Sequence, residues 1–138
     1  MDAGNLSLIY DFVHLKPSVV QNPFFAENGY DAELRRFCKD RAVGYQAFWV
    51  LKKNKRLCDE GEMRALIEKL DVSDEALLLW SVAKLEDLGS VLNGSSNLTH
   101  LERDLRDWER IDEWYEGEVG EGDANEVRRK FRELLGVK

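Results

Sequence analysis

Apolar positions along this chain fall into short runs that switch between helical and strand spacing. Leu6, Leu8, Ile9, Phe12 and Val13 recur at helical spacing over residues 6–15, with Asn5 as the expected cap and Pro17 as the stop. Ser18-Val19-Val20-Gln21-Asn22 is a β-branched run closed by Pro23, which predicts a strand. Asn28-Gly29 predicts a turn, and residues 31–40 return to helical spacing with Leu34, Phe37 and Cys38 on one face. A second strand is predicted over residues 43–51, where Val43, Tyr45, Ala47 and Trp49 alternate with Gly44, Gln46 and Phe48. Lys52-Lys53-Asn54-Lys55-Arg56 reads as a solvated basic loop.

Two helices are predicted next. Asp59-x-x-Glu62 has the form of a capping box opening the first, which runs through Leu70. Ser73 caps the second, with Asp74 and Glu75 in its first turn and an apolar face continuing to Leu85 before Gly89. Ser90-Val91-Leu92-Asn93 predicts a third strand. Thr99-x-x-Glu102 opens a helix that carries Trp108 and Trp114. An acidic glycine segment, Gly117 to Asp123, precedes a last amphipathic helix with Val127, Phe131, Leu134 and Leu135. Strands separated by helices imply parallel pairing through right-handed crossovers, hence an α/β fold of about three parallel strands with flanking helices. Val19 or Val20, Tyr45, Ala47 and Val91 are expected to point to the inner side of that sheet.

The 138 residues suit one domain. They carry 20 basic and 27 acidic side chains, a net charge of −7, which argues against a nucleic-acid surface or docking on anionic lipid. No apolar run is long enough to span a membrane, and the start lacks a basic signal-peptide region, so a cytoplasmic location is expected. Cys38 and Cys58 lack metal-site spacing and are too few for a disulfide framework.

The common catalytic motifs are missing: there is no P-loop, no Gly-x-Ser-x-Gly elbow and no zinc spacing. The two histidines are far apart on predicted helices. Position is more informative. Ligands of parallel α/β folds bind at the carboxyl ends of strands. Those ends carry Gln21 and Asn22, Phe48 and Trp49, then Asn93-Gly94-Ser95-Ser96. An amide, two flat aromatics and a hydroxyl-rich turn before a helix suit a polar aromatic ligand bearing phosphate. The alternative is that the aromatics are core and the turn merely connects a strand to a helix.

At the same residues the sequence resembles the C-terminal half of an aldo-keto reductase of fungal type. Lys16-Pro17-Ser18-Val19-Val20-Gln21-Asn22 resembles the family's sixth barrel strand. Arg36-Phe37-Cys38 through Tyr45-Gln46-Ala47-Phe48-Trp49-Val50-Leu51 resembles its sixth helix and seventh strand. Val72-Ser73-Asp74-Glu75-Ala76-Leu77-Leu78-Leu79-Trp80 and Val91-Leu92-Asn93-Gly94-Ser95-Ser96-Asn97 resemble its seventh helix and eighth strand. The order and spacing match over nearly the whole chain. The resemblance implies part of a TIM barrel, in which a complete barrel typically takes about 250 residues. It also implies NADP as cofactor and carbonyl–alcohol interconversion.

Carried over residue by residue, Gln21 matches the glutamine that hydrogen-bonds the nicotinamide carboxamide, and Phe48 the aromatic that stacks on the nicotinamide. Trp49 and Leu51 fall where a loop approaches the pyrophosphate, and Ser95 near the adenosine phosphate. His100 and Asp104 fall where an arginine and an asparagine commonly meet the 2′-phosphate and adenine. Gly94 stands where a lysine is common, so two cations are missing at the 2′-phosphate. The resemblance starts inside the family's fifth helix, and the catalytic Asp, Tyr, Lys and His lie on the first half, so none is assigned here. Two functions are therefore carried forward. One is the cofactor side of an NADP-linked reductase without independent catalysis. The other is a non-catalytic module or truncated remnant that self-associates or pairs with a complementary half-barrel.

Overall fold

The computed structural model describes residues 1–117, 125, 129–133 and 135. Its centre is a parallel sheet of β1 (Val19–Pro23), β2 (Gly44–Phe48) and β3 (Ser90–Val91), in that order, flanked by helices. Helices α1 (Ala3–Phe12) and α2 (Ala32–Asp40) bracket β1; α3 (Val50–Asn54), α4 (Gly61–Leu70) and α5 (Asp74–Ala83) lie between β2 and β3; α6 (Leu98–Glu116) follows. The α/β class and the three parallel strands are those the sequence predicts. Among the described residues no helix is long and apolar enough to cross a membrane.

Several boundaries differ for local reasons. Asp2, not Asn5, caps α1, because its carboxylate accepts the Asn5 N–H at 2.8 Å, and the helix ends at Phe12. His14 therefore lies beyond the helix, exposed in a bend. The second strand stops at Phe48, since Trp49 takes a left-handed φ of 59° and α3 starts at once; the expected basic loop is helical, α for Lys52, Lys53 and Asn54 and 3-10 for Lys55 and Arg56. The Asp59-x-x-Glu62 box does not form: Asp59 pairs with Arg64, and α4 begins without a side-chain cap. Asn97 rather than Thr99 caps α6. Ser73 caps α5 as expected, its Oγ accepting the Ala76 N–H, although the helix ends at Ala83 rather than near Leu85. Phe131 and Leu135 are buried, whereas the acidic segment after Gly117, Val127 and Leu134 lie outside the described residues.

The sheet's two faces are the reverse of the expected arrangement. Val20, Tyr45 and Ala47 are buried against the helices, not on the inner face, and Val91 shares the register of Ala47. The other face carries Val19, Gly44, Phe48 and a polar row: Gln21 donates to Gln46, which donates to Ser90 Oγ at 2.9 Å. The reason is that Tyr45 has a specific partner on the helical side. Its hydroxyl donates to Asp31 at 2.7 Å, and Asp31 also accepts from Asn22 at 2.6 Å and Asn28 at 3.0 Å. Because side chains alternate along a strand, placing Tyr45 sets every other residue of β2.

Asp31 ends a run of three left-handed residues, Gly29, Tyr30 and Asp31. Only the first is free of the Cβ clash that such a φ produces. The run persists because Tyr30 and Asp31 are both held. Asp31 has three donors, and the Tyr30 carbonyl accepts from Arg35 Nε at 2.8 Å. Arg35 is fully buried and forms an ion pair with Asp87, just before β3. Gly89 then lies so close to Tyr45 that an added Cβ would meet its backbone oxygen at 3.1 Å, and Gly89 N–H donates to that oxygen.

On the far side, α6 docks through several carboxylates: Asp107 accepts the Ser73 N–H at 2.8 Å, and Asp112 gathers three donors. Asp112 accepts from the indoles of Trp80 at 2.8 Å and Trp108 at 2.9 Å and pairs with Lys84 at 2.7 Å. Burial alone would raise its pKa, but the Lys84 and indole hydrogen bonds outweigh burial and hold it below the usual carboxylate range.

These two ion pairs can each be tested. Asp87→Ala leaves a buried cation unpaired and should cost about 3–5 kcal/mol in denaturant unfolding, more than the double change Arg35→Met with Asp87→Leu. For Asp112, a lowered folded pKa means stabilisation that is present above the unfolded value of 3.8 and lost as pH falls below it. Urea midpoints of wild type and Asp112→Asn should therefore differ at pH 7 and converge below about pH 4.

Candidate functional site

Each strand stops at the same end of the sheet, and the chain turns there in three different ways. β1 ends on Pro23; after β2 comes the left-handed Trp49, and after β3 the turn Asn93-Gly94-Ser95-Ser96 into α6. Gln21 of β1, the turns after β2 and β3, Glu75 of α5 and one face of α6 line a cleft of about 700 Å³. Gln21, Phe48, Trp49 and Leu51 form one wall. Ser95, His100 and Asp104 form the opposite wall. All seven candidate residues named from the sequence are thus brought together. Lys52, Glu75 and Arg103 complete the charged lining.

The aromatic wall is held in a strained backbone. Trp49 is 48% exposed, although large aromatics favour burial, and its left-handed φ is an outlier for a non-glycine residue. Its ring stands edge-on to Phe48, centroids 5.4 Å apart, and Lys52 Nζ lies 5.0 Å from its centre. The alternation predicted over residues 43–51 stops at Phe48, so Trp49 does not share the face of Tyr45 and Ala47. Beside the aromatics, the Gln21 amide already bonds Gln46, so its remaining hydrogen-bonding capacity faces the cleft.

The opposite wall is polar and largely self-satisfied. Ser95 N–H donates to Asn93 Oδ1 at 3.0 Å and Asn97 N–H to Ser95 Oγ at 3.4 Å. Thr99 and His100 N–H groups donate to Asn97 Oδ1. The helix start that reads as a ready anion site in the sequence therefore has these donors occupied by its own side chains. Arg103 is similarly engaged: it meets Asp104 at 3.0 Å and Glu75 at 3.3 Å, and its pKa is raised chiefly by the hydrogen bond to Asp104. Asp104 is buried, with Ser73 Oγ and Asn93 Nδ2 at 3.5 Å. Lys52 and Arg103 balance Glu75 and Asp104, so the charged lining is neutral overall.

Glu75 and Lys52 are the lining residues that sequence reading assigned elsewhere, to a helix first turn and to a solvated loop. Nothing in the spacing signals them, because Glu75 meets Arg103 only through the packing of α5 on α6. Among the described residues no group of three or more His, Cys, Asp or Glu is disposed to hold a metal ion. Cys58 is buried, and that burial pushes its thiol up to about 11, which keeps it a weak nucleophile. No protein-family model matches the chain, and no curated protein matches it.

The backbone at Trp49 can be tested directly. Trp49→Gly relieves the left-handed strain while losing ring contacts, so its stability should stay within about 1 kcal/mol of wild type; Trp49→Val keeps the strain and should be about 1–2 kcal/mol less stable than the glycine variant in urea melts.

Proposed function

We propose that this cleft is the cofactor side of a nicotinamide-nucleotide-linked carbonyl reductase of aldo-keto reductase type, and that the three strands belong to a partial TIM barrel. The observation that carries this reading is the convergence of Gln21, Phe48, Trp49, Leu51, Ser95, His100 and Asp104 on one cleft at the carboxyl ends of parallel strands. Parallel pairing already brings Gln21, Phe48, Trp49 and Ser95 to one end of the sheet; what supports the resemblance is that Leu51, His100 and Asp104, chosen by it, line the same cleft.

The two ends of the cleft fit a dinucleotide unequally. At the strand end, the Gln21 amide suits a carboxamide, and Phe48 and the half-exposed Trp49, set edge-on to each other, each offer a ring to the cleft. When bound, the nucleotide would supply a hydride; these residues bind and orient it. At the helix end, the turn's own side chains hold its N–H groups and Glu75 and Asp104 hold Arg103, so little is left for an extra phosphate. This favours a ligand discriminated weakly, if at all, by a 2′-phosphate.

In this reading the chain by itself does not catalyse reduction. The substrate carbonyl must be polarised by an acid during hydride transfer. Tyr45 cannot serve: it lies on the other face of the sheet, donating to Asp31, and burial, then that hydrogen bond, raise its pKa far above the usual tyrosine value. Among the described residues no tyrosine lines the cleft.

Calorimetric titration tests the reading. NADPH and NADH should bind weakly and with similar affinity, and Phe48→Ala should weaken both roughly tenfold by removing the stacking surface. A carbonyl panel should show no steady NADPH consumption. Absence of binding by either nucleotide at millimolar concentration would overturn the assignment.

A further inference from the structure

The charged lining of the cleft balances overall but is unevenly distributed. Lys52 stands on the aromatic wall, 5.0 Å from the Trp49 ring centre. The opposite wall carries Glu75, Asp104 and Arg103, two carboxylates against one guanidinium. Those carboxylates are not equivalent. The Asp104 side chain is only 8% exposed; Arg103 Nη2 lies 3.0 Å from it, while Ser73 Oγ and Asn93 Nδ2 stand off at 3.5 Å. A buried carboxylate requires such a cation, so this bond belongs to the fold. Glu75 is 37% exposed and reaches the same Nη2 at 3.3 Å from the first turn of α5. An ion pair so open to solvent adds little to stability. Its effect falls on the cleft instead. Arg103 is 42% exposed, and its Nη1 has no hydrogen-bond partner among the described residues. Part of the guanidinium fork is thus available to an anion, but any anion that meets it also meets the charge of Glu75.

We propose that Glu75 is the specificity-determining residue of this cleft: it holds Arg103 and cancels its charge, and so denies a 2′-phosphate the guanidinium it would otherwise gain. The proposal rests on the nucleotide reading above. With a carboxamide at Gln21 and a ring against Phe48, an extended dinucleotide carries its adenosine half toward the α6 wall. NADPH and NADH differ there by one phosphate and nowhere else. With Glu75 charged, that wall presents two negative charges and one positive, and the phosphate gains nothing. Without the Glu75 charge, Arg103 is shared with Asp104 alone, the pair is neutral, and Nη1 can donate to the phosphate. Asp107, on the same helix, is committed to the Ser73 N–H at 2.8 Å and stays as it is in both cases. Discrimination between the two nucleotides is therefore governed by a residue of α5 acting through a residue of α6.

Calorimetric titration of NADPH and NADH against the purified chain reads the ratio of their affinities. Glu75→Gln should tighten NADPH about tenfold and leave NADH within about twofold, turning near-equal affinities into a preference for NADPH. Glu75→Asp keeps the charge and should keep the ratio near that of wild type. The gain in Glu75→Gln should shrink as salt is raised, because the groups concerned are partly exposed. A merely structural role for Glu75 in the first turn of α5 would weaken both nucleotides together and leave their ratio unmoved. If wild type binds both nucleotides and Glu75→Gln does not change the ratio, the proposal is overturned while the cofactor reading stands. If wild type binds neither, the cofactor reading falls and this proposal falls with it.

Discussion

A guanidinium withdrawn completely from water must be paired, and the pairing of Arg35 joins three separate parts of this chain. Its Nε holds the carbonyl of Tyr30, in the left-handed turn after β1. Its ion pair with Asp87 holds the segment that leads into β3. Its stem rises from α2, and its charge lies 5.7 Å from the Phe24 ring. Breaking such a pair costs far more than the pair contributes, because one charge is then left buried alone. The strained turn and the entry of β3 are therefore conditional on the same side chain. Asp31 completes the clamp by drawing Asn22, Asn28 and Tyr45 onto one carboxylate.

That clamp determines which side of the sheet faces solvent. With Tyr45 drawn toward Asp31, the alternation of β2 turns Gln46 and Phe48 to the open side. The open side then consists of amides and a hydroxyl that bond one another across the strands, a surface that tolerates water. An apolar open side would have cost about 1.5–3 kcal/mol for each large side chain left wet. A three-stranded sheet with two edges is consequently less compromised than its strand count suggests, and the exposed apolar area is displaced to α1.

The cleft depends on the same geometry at one remove. Phe48 reaches it because Tyr45 does not, and Trp49 is presented because the strand breaks into α3 immediately afterwards. The opposite wall depends on α6, which Asp112 anchors through the Trp80 indole and Lys84. One wall is therefore aromatic and strained, and the other polar and internally satisfied. A ligand recognised here gains mainly from stacking and amide contacts and little from charge.

Much of this was legible in the sequence. The switch from helical to alternating spacing located three strands and most helices, and the turn chemistry of Asn28-Gly29 and the Ser73 cap needed only neighbouring residues. Strands divided by helices forced parallel pairing, and parallel pairing located Gln21, Phe48, Trp49 and Ser95 at one end of the sheet. Periodicity, however, gives only which residues share a face, and not which face is buried. That choice came from Tyr45 meeting Asp31 and Arg35 meeting Asp87, contacts across 14 and 52 residues that no local pattern encodes. For the same reason the competing caps at Asp2 and Asn97, the left-handed Trp49 and the tie of Glu75 to Arg103 belong to the tertiary structure. Each is decided by which partner lies within hydrogen-bond reach once the elements have packed, and distance in space is the quantity a sequence does not carry.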